Sequence, residues 1–273
     1  REILIPHKNR DGQTVIPKKE PKPAKIEFEE SPVVWKKTKY TINKSADFEI
    51  KLGLDENKKE VNLNLEKYGN LLIIGSQFTG AVDLLNSILG TTLSKYSPDD
   101  MRLIVIDGNR GDITLPNHIP HLLTPVIVDP ERSITALKWS INEIERRSKA
   151  ETQEGFSKVL ILINAFNQVA YFSSAELEDN LYQIITRGKK FGFYLVMVTD
   201  YLSPKTSKEL LANIPAKLVF KPTDKKVAHD SGIPESVDLT SPDEAILETI
   251  FEGKTKLTIN NIDVKKIYKE IFI

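Results

Sequence analysis

Residues Asn70–Asn86, NLLIIGSQFTGAVDLLN, constrain this chain more than any other stretch. Leu71 to Ile74 form a short apolar run that Gly75 ends. A run so short and so uniformly apolar reads as a strand buried on both faces of a parallel sheet. A helical pattern, Leu84, Leu85, Ile88 and Leu89, starts just after Gly80. Strand, glycine-bounded loop and helix are the layout of a phosphate-binding loop, GxxxxGK followed by Ser or Thr. The spacing is met, because Ser76, Gln77, Phe78 and Thr79 separate the two glycines. The chemistry is not met: Ala81 stands where the lysine belongs and Val82 where the hydroxyl belongs.

The rest of the chain repeats the strand–helix rhythm. MRLIVIDG (101–108), TPVIVD (124–129), KVLILIN (158–164), YLVMVTD (194–200) and AKLVFK (216–221) read as further strands, and 244–259 as two edge strands. Asp129 is expected to cap a helix with Pro130 at its first position, bearing Ile134, Leu137, Ile141 and Ile144. Ser173 and Glu176 form a capping box before Leu177, Leu181, Ile184 and Ile185, which makes Glu176, Glu178 and Asp179 first-turn acids and not acid–base catalysts. Pro204 opens a short helix to about Asn213, and Asp263 starts a terminal one. Short loops between alternating strands and helices imply an α/β sandwich with a mostly parallel sheet. Leu71–Ile74, Leu103–Ile106, Val159–Ile163 and Leu195–Val198 are its expected central strands. Ligands of such sheets bind at the carboxyl ends of the strands, where Gly75, Asp107, Asn164 and Asp200 fall.

Ahead of this core lie two different stretches. Residues 1–30 hold four prolines and read as a linker or extended arm; up to Ile26 they carry seven Lys/Arg against three Asp/Glu. Residues 31–69 read as a β preamble packed on the core, which then fills 70–273. Lys+Arg and Asp+Glu are both 38, so no global charge points to nucleic acid. The absence of cysteine excludes disulfides and thiolate chemistry and is compatible with a cytoplasmic location. No apolar run approaches the ~20 residues of a membrane span, so no membrane contact is expected here. Arg1 is not an initiator, so the sequence reads as part of a longer protein, with the cytosolic part of a membrane-anchored one as an alternative.

With these elements placed, the chain resembles the FtsK/SpoIIIE family of RecA-like motor ATPases. The resemblance rests on IPHLLTPVIVDPERSITALKWSINEIERR (119–147), ELEDNLYQIITRGKKFGFYLVMVTDYLS (176–203) and LLANIPAKLVFKPTDKKVAHDSG (210–232), besides the loop frame. It implies an ATP–Mg²⁺ site, and the departures fall on that site. Asn164-Ala165 stand where the family's Walker B strand ends in Asp-Glu, and Asp200-Tyr201 where a Gln-Arg pair senses γ-phosphate. Phe78 replaces the loop's inner glycine and is expected to fill the space above the loop amides. The lysine, the hydroxyl, the metal carboxylate and the water-orienting glutamate are all gone, so neither catalysis nor a bound cofactor is expected. Asp200 would repel phosphate further.

The resemblance makes the chain a catalytically degenerate module of a larger translocase, working with its other domains or paralogous subunits. The two β segments that lead straight into the loop strand also resemble the tandem ATPase domains of type VII protein secretion, whose substrate is a secreted protein. A DNA-translocating ATPase with unorthodox residues is the third reading. Lys221, Lys225 and Lys226, with Lys205 and Lys208, would be the DNA contacts, or a solvated surface. Family motors are rings with nucleotide bridging neighbours; with the ligands lost, a monomer or weak oligomer is expected. His118 and His121 have a metal-like spacing, but the family match makes His121 structural, so no metal site is expected. Trp139, beside Lys138, reads as packing or as an interface contact.

Overall fold

The computed structural model describes residues 7–8, 14–15, 48–113, 115, 119–151, 156–203 and 208–259. Most of the linker, the preamble before Phe48, His118, Pro204, Lys205 and the expected terminal helix lie outside these residues. A two-residue strand pair, β1 (His7–Lys8) and β2 (Thr14–Val15), comes first. Then follow β3 (Glu49–Asp55), β4 (Glu60–Asn64), the single-turn α1 (Leu65–Tyr68), β5 (Asn70–Ile74) and α2 (Ala81–Lys95). Next come β6 (Met101–Asp107), α3 (Pro130–Ser148), β7 (Lys158–Asn164), α4 (Phe166–Arg187) and β8 (Phe193–Thr199). The order ends with α5 (Lys208–Ala212), β9 (Ala216–Phe220), α6 (Lys225–Ser231), β10 (Glu244–Thr249) and β11 (Gly253–Thr258).

Nine strands form one sheet in the order β4-β3-β11-β10-β9-β5-β8-β7-β6. From β9 to β6 they are parallel, as continuous apolar runs require; from β4 to β10 each pairs antiparallel with its neighbour. Strand alternation divides the core in two. Leu71 and Ile73 of β5 face one side, with Leu84, Leu85 and Ile88 of α2 and with Phe48, Ile50 and Leu63 of the preamble. Leu72 and Ile74 face the other side, with Ile134 and Leu137 of α3 and Leu177, Leu181 and Ile184 of α4. Covered on both faces, the parallel block is a three-layer α/β sandwich.

Several expectations are corrected. The strands at 244–259 are interior, because β3 pairs with β11 through Leu257↔Asp55 and Thr258↔Leu54; the edge falls to β4. Gly53 permits this join: a Cβ there would lie 2.3 Å from the Thr258 carbonyl oxygen. The preamble therefore extends the sheet itself. β6 is the other terminal strand and not a central one. The segment 121–127 runs along its open edge, with Leu103 N–H donating to His121 O and Ile127 N–H to Val105 O. That segment makes only isolated bridges and no strand; Pro125 has no N–H to give a ladder.

The caps divide in the same way. Asp129 accepts from Arg132 N–H at 3.0 Å with Pro130 in the first turn, as expected. α4, however, starts at Phe166, so Ser173 and Glu176 lie within the helix and not at its start. Phe166 and Val169 are buried and extend the apolar face of Leu177, Leu181 and Ile184 toward the N-terminus. Glu176 instead meets Lys138 of α3 in a surface ion pair. Trp139 is half-buried against the α3–α4 side of the core.

Candidate functional site

The turn from β5 into α2 is built by small residues. Gly75 N–H donates to Thr199 O of β8 at 2.9 Å, which fixes the loop to the neighbouring strand. A Cβ on Gly75 would lie 2.9 Å from the Ala81 Cβ and 2.7 Å from Thr79 Oγ1, so the loop closes this tightly only over glycine. Ala81 is fully buried and belongs to the hydrophobic core. The loop's donors are turned inward on the protein. Phe78 N–H donates to Ser76 Oγ, Thr79 N–H to Ser76 O and Gly80 N–H to Pro242 O, at 3.0–3.3 Å. Phe78 does not fill the loop: its ring is 77 % exposed at the rim.

A cavity of about 300 Å³ opens above this turn at the carboxyl ends of β5, β7 and β8. Of the residues singled out in the sequence, Gly75, Ser76, Gln77, Phe78, Val82, Asn164, Ala165 and Asp200 line it. Thr79, Gly80, Ala81 and Tyr201 do not. The structure thus gathers the loop, the end of β7 and the end of β8 at one place, where the order of the parallel strands reverses around β5. Lys221 follows β9 and Lys225 and Lys226 open α6, all three exposed. Thr223, between them, lines the cavity, while the lysines do not. Asp224 caps α6 by accepting from Lys226 N–H at 2.8 Å. Lys208 is exposed at the start of α5.

Asn164 is 2 % exposed, and its Nδ2 donates to Asp107 Oδ1 at 2.9 Å and to Asp112 Oδ2 at 3.0 Å. Asp107 also accepts from the N–H groups of Asn109, Gly111 and Ile113, so its buried carboxylate organises the loop after β6. Ala165 holds a left-handed conformation, φ 50°, at the junction of β7 and α4. Asp200 Oδ1 accepts from Asn167 Nδ2 at 2.8 Å and from Tyr201 N–H at 3.1 Å. Asn109, Asp112, Asn167 and Gln168 were not singled out from the sequence, although each follows a strand end closely, where a parallel sheet places its ligand groups. Among the described residues no group of His, Asp and Glu is arranged to hold a metal ion. His121 is fully buried and donates from Nε2 to Tyr96 O at 2.8 Å; burial pushes its imidazole down to about 4, so it stays neutral.

Solved structures share this fold at low sequence identity. The cytoplasmic domain of the Thermomonospora curvata type VII secretion ATPase EccC superposes with a TM-score of 0.67 at 14 % identity, covering 78 % of this chain and 28 % of its own. ATPases 2 and 3 of EssC from Geobacillus thermodenitrificans give 0.69 at 17 %, covering 82 % and 48 %. The pCW3 conjugation coupling protein TcpA gives 0.69 at 13 %, covering 83 % and 71 %. Sheet, loop and cavity define a RecA-like P-loop ATPase fold. The model of the FtsK/SpoIIIE family matches residues 34–215, and the chain belongs to that family. The DNA translocase FtsK of Leptospira interrogans is 30 % identical over 223 residues, 72 % of this chain and 24 % of the relative. The DNA translocase SpoIIIE of Bacillus subtilis is 25 % identical over 221 residues, 70 % and 28 %. The chain thus spans about a quarter of the length of these relatives.

Proposed function

We propose that this chain is a catalytically degenerate FtsK/SpoIIIE-type domain, a structural or regulatory module of a larger translocase. The observation that carries the reading is Asn164. At the position that the resemblance gives to the family's metal-binding carboxylate, a neutral amide donates to Asp107 and Asp112 instead, which supports the loss of a metal ligand there. Ala81 supports it, because the lysine position is spent on core packing. Phosphoryl transfer on this fold needs cations and a metal around the phosphates, and the described lining residues include no Lys, Arg or His. The domain works beside nucleotide-hydrolysing domains or paralogous subunits, in the cytoplasm.

The test is calorimetric titration of ATP with and without Mg²⁺, beside a hydrolysis assay, on the parent and on Ala81→Lys/Val82→Thr. The expected result is no hydrolysis and binding weaker than ~1 mM, since losing one charge-assisted phosphate contact alone weakens binding by about one to two powers of ten. Tight, Mg²⁺-dependent binding by the parent would make it a working ATPase with unorthodox residues. A second reading, a degenerate tandem domain of a type VII secretion translocon, is supported by the match to EssC ATPases 2 and 3. DNA binding that falls steeply with salt favours work on DNA through Lys221, Lys225 and Lys226; its absence favours a protein substrate.

A further inference from the structure

Three asparagines line the cavity, and the amide nitrogen of each is committed to the protein. Asn109 Nδ2 donates to Asp112 Oδ2 at 2.7 Å. Asn164 Nδ2 donates to Asp107 and Asp112, as described. Asn167 Nδ2 donates to Asp200 Oδ1 at 2.8 Å and to Tyr201 O at 2.7 Å. A carboxamide carries its donor and its acceptor on the two arms of one fork. Both N–H groups of Asn164 and of Asn167 are thereby used, so the arm each can offer a ligand is its carbonyl oxygen, while Asn109 keeps a second N–H beside its own. The loop amides of Phe78, Thr79 and Gly80 are likewise spent, and Thr199 Oγ1 donates to Tyr201 O at 2.9 Å.

The carbonyl oxygens of Asn164 and Asn167 therefore stand in the lining as acceptors, beside Ser76, Gln77, Gln168 and Thr223, whose side chains can donate or accept. The one acidic side chain among the described lining residues is Asp200. Its Oδ1 holds Asn167 and Tyr201, which leaves Oδ2 for a ligand. Phe78 presents an exposed aromatic face at the rim. Acceptor oxygens, one carboxylate and one ring match a planar cation rich in N–H donors, which bonds in its plane and stacks on its face. Lys221, Lys225 and Lys226 stay outside the lining.

We propose that this cavity receives a guanidinium group, borne by a free small molecule or by an arginine side chain of a polypeptide. The proposal rests on the reading that nucleotide does not occupy the site. The probes are agmatine, N-acetyl-arginine amide and a short neutral peptide with one central arginine, titrated calorimetrically into the whole chain. N-acetyl-citrulline amide, of the same shape without the charge, is the control, and Mg-ATP is titrated in parallel. Saturable one-to-one binding of the guanidinium probes is expected, with citrulline weaker by about tenfold or more. Asp200→Asn should weaken the guanidinium probes by a similar factor and Phe78→Ala by about threefold. Both residues are exposed, so both variants should keep the parent's urea midpoint. Peptide binding more than about tenfold tighter than agmatine assigns the guanidinium to a polypeptide, and parity assigns it to a small molecule. Equal binding of citrulline, indifference to Asp200→Asn, or no saturation overturns the proposal. If ATP also fails to bind, the degenerate reading survives that loss; tight Mg-dependent ATP binding removes both.

Discussion

Restoring the family's carboxylate at position 164 should damage the fold before it repairs any chemistry. Asn164 sits between Asp107 and Asp112, with contacts of 2.9 and 3.0 Å. Asn164→Asp removes two charge-assisted bonds and adds a third carboxylate beside the buried Asp107 and the half-buried Asp112. At ~3 Å and an effective dielectric near 20, each like-charge pair costs about 5 kcal/mol. Two such pairs would consume most of a typical folding stability of about 5–15 kcal/mol. The cluster takes up a proton instead, which caps the cost. Keeping a carboxyl of unfolded value ~3.9 protonated near pH 8 costs about 5.6 kcal/mol, and near pH 5.5 about 2.2 kcal/mol. The new carboxyl is thus raised in the folded state, so the variant is most nearly parental in acid and loses stability as pH rises, by up to about 1.4 kcal/mol per pH unit.

The assay is urea unfolding of the parent, Asn164→Asp and Asn164→Ala, in chelator, near pH 5.5 and near pH 8. Asn164→Ala should cost about 1–3 kcal/mol at both, because it leaves acceptors unpaired without adding charge. Millimolar Mg²⁺ should rescue Asn164→Asp near pH 8 and leave Asn164→Ala unchanged, since a divalent ion can bridge three carboxylates. If Asn164→Asp matches the parent near pH 8 in chelator, within about 1 kcal/mol, the amide is not holding the two carboxylates apart and the argument fails.

Three further outcomes are expected. Ala165 is left-handed, so Ala165→Val should cost about 1–2 kcal/mol while Ala165→Gly stays within about 1 kcal/mol of the parent, as thermal or urea unfolding will show. Gly53→Ala pushes a Cβ against the Thr258 carbonyl and should cost about 1–3 kcal/mol, with faster hydrogen exchange in β3 and β4 than in β5. The Thr240 backbone N–H, then Lys256, hold the Glu244 carboxyl down at about 2 against 4.5 when free. A depressed carboxyl stabilises above 4.5 and loses that contribution as pH falls toward 2, so the gap between parent and Glu244→Gln should be full near neutrality and close across that window.

The strands and the place of the site were legible because both are local. Leu71–Ile74 and Val159–Ile163 are apolar without interruption, and that fixes burial on two faces whatever the neighbours are. Gly75, Asn164 and Asp200 each end such a run, so their meeting followed from the rule that parallel strands share one carboxyl end. Strand order was not legible. Nothing in EAILET or GKTKLT says that a preamble strand will close over them. α4 misled because Ser173–Glu176 has the wording of a cap, while the buried Phe166 and Val169 ahead of it carry the helix through. The asparagines were the least visible. Asn109 and Asn167 look like ordinary loop polarity, and their role depends on which oxygen each amide reaches.

The position of β5 also governs how the chain must be assembled. Its partners are β8, beginning with Asn70↔Leu195, and β9, beginning with Leu71↔Ala216. NLLII is thus among the early strands of the sheet to leave a ribosome; one edge stays open until Thr199 has been made and the other until Phe220. At synthesis rates of ~5–20 residues per second, the longer interval lasts about seven to thirty seconds. A short, uncharged, β-prone segment left open that long is an aggregation hazard. Truncations ending before β9 should therefore accumulate as insoluble protein, and a chaperone that shields β5 during translation would govern the yield of the whole domain.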